Sequence, residues 1–273
     1  MNEELDFTIV TPSYNYSNYI RECLDSVVAQ EGVTYEHLVY DAGSTDGTID
    51  IIREYAHVDL TVEPDEGMSD AINKGFKAAK GEWVMWLNTD DRLKPGSLAE
   101  VKARAMNHPE SDVLYGGWDF IDAEGHFQRR MGVFPFRRLM FVHLHCYLGS
   151  TATFLRRSST IEQGHLLNDN FKYVMDGEYY ARLASQGKRF TYMKAVFADF
   201  RMHGENLSQK HLLKKDVDGV LAFQLQNAEP RTIRRIYGIS LFKNDFLNGG
   251  VDSIIYIIFR LQKFILRRIY QPR

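Results

Sequence analysis

The stretch Trp83-Val84-Met85-Trp86-Leu87-Asn88-Thr89-Asp90-Asp91 runs five apolar residues directly into a polar turn with two adjacent carboxylates. An apolar run without polar alternation reads as a strand buried on both faces, as in a parallel sheet covered by helices. Three similar short strands precede it, at Phe7–Thr11, Tyr35–Tyr40 and His57–Val62. Helical spacing fills the gaps. Asn18–Gln30 carries Ile20, Cys23, Leu24, Val27 and Val28 as one apolar stripe. Asp46 stands where it would cap a helix through Tyr55, Asp70–Lys80 reads as a helix closed by Gly81, and Gly96–Asn107 as another. Strands alternating with helices of this length predict an α/β fold with a Rossmann-like, mostly parallel sheet flanked by helices.

In such sheets, ligands sit outside the carboxyl ends of the strands. The residues there are Thr11–Asn15, Asp41–Asp46, Glu63–Asp65 and Asn88–Asp91, a polar and strongly acidic set. Carboxylates gathered on one rim repel each other unless a cation sits among them, so a divalent ion, Mg²⁺ or Mn²⁺, is expected. An isolated Asp-Asp would be an ordinary turn dipeptide. No Gly-x-Gly-x-x-Gly follows the first strand and no Walker-type glycine loop is present, which disfavours hydride transfer and P-loop phosphoryl transfer.

Beyond Gly117 the pattern changes. A strand at Val113–Gly116 is followed by a hairpin of Asp119–Ile121 with Phe127–Arg130, a short helix at Arg137–Leu144 and a strand at Thr151–Arg156. A helix at Asp176–Ser185 and strands at Phe190–Met193 and Ala198–Met202 complete it. With no Pro/Gly/Ser-rich linker between the halves, residues 1–208 read as one domain of two halves, 1–117 and 118–208. Residues 209–273 read as a helical extension.

The 273 residues are 44% hydrophobic and 25% charged, an ordinary globular composition. Two cysteines make neither a disulfide framework nor a zinc cluster. The opening MNEELDFTIV lacks a basic stretch before an apolar run, so a cytoplasmic chain without a secretory signal is expected. From Glu229 to Arg273 there are nine Lys/Arg against three Asp/Glu, a net of +6 on a chain whose total is −3. Within that tail, Val251–Tyr270 reads as a helix with Arg260, Lys263, Arg267 and Arg268 towards one side. Its apolar run Ile254–Phe259 falls far short of the roughly 20 residues that span a bilayer. Two readings stay open for 251–270: an interfacial helix on an anionic membrane surface, peripheral on the cytoplasmic face, and a helix packed on the domain or on a second copy in a homo-oligomer. No nucleic-acid motif accompanies the charge, and no nucleic-acid partner is expected.

Four stretches together resemble the family 2 glycosyltransferases, inverting enzymes with the GT-A nucleotide-binding fold. They are Thr11-Pro12-Ser13-Tyr14-Asn15, Asp41 to Thr48, Glu63 to Gly75, and Asn88-Thr89-Asp90-Asp91, in the family's order. The resemblance runs from about Phe7 to Ser208. It implies a nucleotide-sugar donor, UDP-linked by preference, and a hydroxyl on a glycan or lipid-linked acceptor. Thr11, Pro12 and Tyr14 would line the base pocket, with Tyr14 stacking on the base. Asp41 would accept the base N–H, a role that suits the imide of uracil or thymine. Asp91 would ligate the metal, while Asp90 would serve the ribose or a metal-bound water. Asp70 is expected at the pocket together with Lys74, though the two also stand at ion-pair spacing on one helix. Asp46 is expected as a cap rather than a ligand contact.

The segment Tyr173 to Leu183 resembles the family's base segment, in which an Asp opens a helix. Asp176 matches it, with an N-cap role as its alternative and Glu178 as second candidate. Gly177 departs from the bulky residue usual there. The segment from Arg201 to Ser208 resembles one that returns beneath the diphosphate, so His203 would be a further metal ligand or, with Arg201, a phosphate contact. Two other functions share parts of this pattern: a sugar nucleotidyltransferase and a non-catalytic nucleotide-sugar-binding protein. The former relies on a glycine-rich basic loop after the first strand, where this chain has Thr-Pro-Ser-Tyr-Asn.

Overall fold

The computed structural model describes residues 5–143, 146–204, 206 and 233. The four apolar runs form β1 (Phe7–Ser13), β2 (Tyr35–Asp41), β3 (Val58–Val62) and β4 (Trp83–Trp86), all paired in parallel in the order β3-β2-β1-β4. Between and after them lie α1 (Ile20–Val28), α2 (Thr48–Ile52), α3 (Met68–Ala78) and α4 (Ser97–Met106). The α2 helix is half the expected length. Only Thr48 and Ile52 of it are buried, so little packing holds a further turn.

The second half adds β5 (Arg92–Leu93), β6 (Val113–Ile121), β7 (Phe127–Arg130), β8 (Thr153–Arg156) and β9 (Phe190–Arg201), with α5 (Arg138–His143) and α6 (Met175–Ser185). The sheet continues β4-β8-β6-β9-β5, with β7 on β6. Here pairing is mixed: β8 runs antiparallel to β4 and β6, β5 antiparallel to β9, and β6 parallel to β9. The wholly parallel part is therefore β1–β4. Two strands expected in β6 are one, and so are two in β9; register shifts around Gly117 absorb the irregularity. The two-residue β5 carries no apolar pattern. Charge holds it instead: Arg92 and Lys94 both bind Asp199, and Lys94 also reaches Asp119.

The core is dominated by large buried rings, among them Trp83, Trp86, Tyr115, Tyr179 and Tyr180, each worth roughly 1.5–3 kcal/mol for leaving water. Two packing details position the site. The α3 helix lies directly on β1, because a Cβ at Gly75 would stand 2.3 Å from Val10 Cγ1. The Trp86 ring stacks on Tyr180 at 6.0 Å between centroids, which seats α6 over the end of β4. Ser69 at the start of α3 donates to Met175 Sδ at 2.9 Å, so the two helices begin side by side.

No helix among the described residues is long and apolar enough to cross a membrane. Of the expected extension 209–273, only Ile233 is described, and it is buried in the main core. The helix read at 251–270 lies outside the described residues.

Candidate active site

The loops after β1 and β2 are laced together. Asn15 adopts φ 56°, a left-handed conformation that Asn tolerates better than most residues. Its amide donates to Ser44 Oγ at 2.7 Å, and its Oδ1 accepts the Thr45 amide at 2.9 Å. Asp46 accepts the amides of Ser17 and Thr48 at 3.0 and 3.1 Å. Its carboxylate therefore serves as a staple between loops.

The residues expected to hold the base divide. Tyr14 is 57% exposed, free to present a ring. Pro12 is buried in β1. Thr11 is wholly buried and its Oγ1 bonds His37 Nε2 at 2.9 Å, so its side chain is turned into the sheet and away from the rim. Asp41 is buried beneath both loops. It accepts the Ser13 and Ser44 hydroxyls at 2.8 and 2.7 Å and the Gly43 and Ser44 amides at 3.0 and 2.7 Å. At the start of α3, Lys74 Nζ binds Asp70 at 3.1 Å, Glu63 at 3.0 Å and the Pro64 carbonyl at 2.9 Å. The ion pair allowed by their spacing is thus formed, and it closes the β3–α3 loop. Asn73 on α3 accepts the Leu167 amide at 2.8 Å and donates to the Leu167 carbonyl at 3.0 Å, pinning the loop that leads to α6.

The two carboxylates after β4 are both buried but have different partners. Asp91 is 1% exposed. Its Oδ2 accepts Thr151 Oγ1 at 2.7 Å and Asn88 Nδ2 at 3.2 Å, while Oδ1 accepts the Arg201 amide at 3.0 Å. Burial, with the charge of Asp90 beside it, holds its carboxyl well above the usual carboxylate range. Asp91 thereby ties the β4 end to β9 and to the approach to β8. Asp90 uses only one oxygen. Its Oδ2 lies 3.0 Å from His203 Nε2 and 3.2 Å from Asn206 Nδ2, and both the Asp90 and the His203 side chains are buried. His203 packs against Tyr19 and Tyr16, with ring centroids at 4.8 and 6.0 Å.

Both oxygens of Asp91 are thus taken by protein donors, while a single oxygen of Asp90 meets His203 and Asn206. The pair also fits a metal. A carboxylate oxygen and an imidazole nitrogen 3.0 Å apart match two adjacent ligands on an ion with bonds of about 2.1 Å. A mixed oxygen–nitrogen set suits Mn²⁺ better than Mg²⁺, which prefers oxygen alone. A second concentration of ligand atoms among the described residues, Asp122, Glu124 and His126, lies within 4.8 Å at the β6–β7 turn. Asp122 is already engaged there by the His126 amide and Gln128.

Arg201, expected near the phosphates, is fully buried. Its guanidinium donates to the Asp90 carbonyl at 2.9 Å, the Ala123 carbonyl at 2.8 Å and Glu22 at 2.7 Å. It is a structural brace beneath Asp90. Sequence alone assigned no role to Glu22 or Asn206: the fold brings Asn206 to Asp90 and Glu22 to Arg201.

Asp176 lies in the first turn of α6, partly buried, and its Oδ1 accepts the Gly177 amide at 2.7 Å. Burial lifts its carboxyl above the usual range despite that bond and the helix N-terminus. Glu178 is 1% exposed and bound to Arg182 at 2.9 Å, so it is committed to the helix. The space beside Gly177 is filled from elsewhere: Ile233 Cδ1 would lie 3.7 Å from a Cβ there. The hydroxyl of Tyr180, one turn on, is buried without a hydrogen-bond partner.

Residues 8–164 match Glycosyl transferase family 2. The chain is similar to a PGL/p-HBAD biosynthesis glycosyltransferase of Mycobacterium tuberculosis, at 32% identity over 77% of this chain and 83% of that protein. Its fold is similar to the S. aureus protein TarS 1-349 solved in complex with UDP-GlcNAc (TM-score 0.60, 18% identity, 93% of this chain and 79% of that one). It is also similar to the mannosyltransferase PcManGT of Pyrobaculum calidifontis solved with GDP-Man and Mn²⁺ (TM-score 0.57, 15% identity, 98% and 87%). With the family matched over more than half its length and the α/β frame in place, the chain belongs to glycosyl transferase family 2 and is a glycosyltransferase.

Proposed function

We propose that the enzyme transfers a sugar, with inversion and with a divalent cation, from a UDP-sugar to a hydroxyl of a glycan or lipid-linked acceptor in surface-glycan synthesis. The observation that carries this reading is the Asp90–His203 pair at the carboxyl end of β4. These two side chains would hold Mn²⁺, with Asp91 as the buried anchor of their loop. When bound, the ion supplies charge neutralisation for the departing diphosphate. Solved relatives in fold carry UDP-GlcNAc or GDP-Man with Mn²⁺, which supports a nucleotide-sugar donor here.

The remaining chemistry belongs to the chain's own residues. Tyr14 stacks on the base. Asp41 receives the base N–H in place of one of the serine hydroxyls it now accepts. Asp70 and Lys74 shape the β3–α3 loop at the pocket edge. Asp176, with its affinity for protons raised by burial, takes the proton of the acceptor hydroxyl. The acceptor oxygen attacks the anomeric carbon from the face opposite the leaving group. The old bond breaks, and its electron pair leaves with the nucleoside diphosphate. The 209–273 extension, and 251–270 in particular, would bring a lipid-linked acceptor to the site at a membrane surface; vesicle flotation of the full chain against a chain ending at Gly250 tests that part.

A thermal-shift panel of nucleoside diphosphates tests the donor and the metal. UDP with Mn²⁺ is expected to raise Tm well beyond either alone, since a ligand of the native state stabilises it by mass action. The reading fails if UDP stabilises the chelated protein as much as the Mn²⁺-loaded one, or if GDP outdoes UDP.

A further inference from the structure

Asn206 lies five residues beyond the end of β9, and it makes three hydrogen bonds at once. Its Nδ2 donates to the Arg201 carbonyl at 2.7 Å and to Asp90 Oδ2 at 3.2 Å, and its Oδ1 accepts the His203 amide at 2.9 Å. It is 4% exposed. One side chain therefore fixes the backbone of His203 and the carboxylate of Asp90 relative to each other. The base it stands on is rigid, because Arg201 is fully buried and its guanidinium holds the Asp90 carbonyl from below.

We propose that Asn206 is a positioning residue for the metal, presetting the Asp90–His203 pair at ligand spacing before any ion arrives. The inference rests on the metal reading given above. Two observations carry it. First, Asp90 and His203 are 113 residues apart in the chain, so their 3.0 Å separation needs a local tether, and Asn206 touches both. Second, Oδ2 has two lone-pair directions. With Asn206 Nδ2 on one, the other is left to the His203 imidazole. A side chain that orients ligands without binding the ion commonly sets metal affinity by 10–100-fold, on the order of the effect expected here.

The test uses the full chain as wild type, Asp90→Asn, Asn206→Ala and Asn206→Ser, with Mn²⁺ binding followed by electron paramagnetic resonance in the presence of UDP. Serine is too short to reach both partners but keeps a polar group near the Arg201 carbonyl, so it carries the test if the alanine variant fails to fold. Wild-type binding lost in Asp90→Asn, and weakened about 10-fold or more in the Asn206 variants, supports the proposal. So does a kcat that recovers towards wild type as Mn²⁺ is raised, with the KM for donor following the same titration. Wild-type affinity in the Asn206 variants, with Asp90→Asn still defective, overturns this proposal alone. No Mn²⁺ binding by the wild type, or undiminished binding by Asp90→Asn, overturns the metal reading beneath it.

Discussion

Replacing Asp91 in two ways separates an anchor from a ligand. Alanine at this position strands three buried donors: the Thr151 hydroxyl, the Arg201 amide and Asn88 Nδ2. Each unsatisfied buried group costs about 1–3 kcal/mol, and relief of a buried carboxylate returns part of it, so Asp91→Ala is expected to lose about 3–6 kcal/mol. Asparagine behaves differently. Its oxygen still accepts the Arg201 amide, and the Thr151 hydroxyl turns to accept from the new amide. Asn88 Oδ1, buried now without a partner, becomes an acceptor once the Asn88 amide rotates. Asp91→Asn is therefore expected to stay within about 1 kcal/mol of wild type and to keep Mn²⁺ binding. Asp90→Asn is expected to keep stability and lose Mn²⁺. Urea unfolding and Mn²⁺ titration on the three proteins decide the matter. If Asp91→Asn lost the metal at unchanged stability while Asp90→Asn kept it, the division of labour drawn here would be refuted.

Three further outcomes are expected. Asp176→Asn should lower kcat by about 10²–10⁴-fold with little change in donor KM, because only proton removal is lost; single-turnover kinetics would expose a lesser effect. Burial, then the nearby His57, holds the His37 imidazole down to about 3, so the unfolded chain takes up its proton first as pH falls below about 6.5. Stability present above that pH should drop by about 2 kcal/mol by pH 5 through this group alone. The raised carboxyls of Asp91 and Asp176 pull the other way, and comparing unfolding of wild type with His37→Gln across that window cancels them. Gly75→Ala should destabilise by about 1–3 kcal/mol through its clash with Val10, and combining it with Val10→Ala should recover most of the loss; an additive double mutant would rule out the contact.

Of the first four strands, β4 was legible as an unbroken apolar run and the others as short stretches rich in β-branched and aromatic residues, and the rim residues followed from where the strands end. Short-range signals also gave the ion pair of Asp70 with Lys74 and the Asp at the start of α6. The resemblance assigned Asp91 to the metal and Asp90 to the ribose or a metal-bound water, but the sequence could not show the protein partners of either. The two residues are chemically identical neighbours, and their difference comes from Thr151, Arg201, His203 and Asn206, which arrive from 60 to 116 positions away. The partners of Thr11 and Arg201 were hidden for the same reason, since His37 and Glu22 stand 26 and 179 positions away. β5 was invisible because charge pairs, rather than an apolar pattern, hold it.

The span of those contacts bears on how the molecule comes into being. During synthesis β1 to β4 can pair and bury their helices before the last strand has left the ribosome. The brace at Arg201 and the partners of Asp90 belong to the end of β9 and the turn behind it. A half-made chain thus has part of its sheet but lacks the residues proposed to hold the ion. Competence at this site doubles as a checkpoint on complete folding.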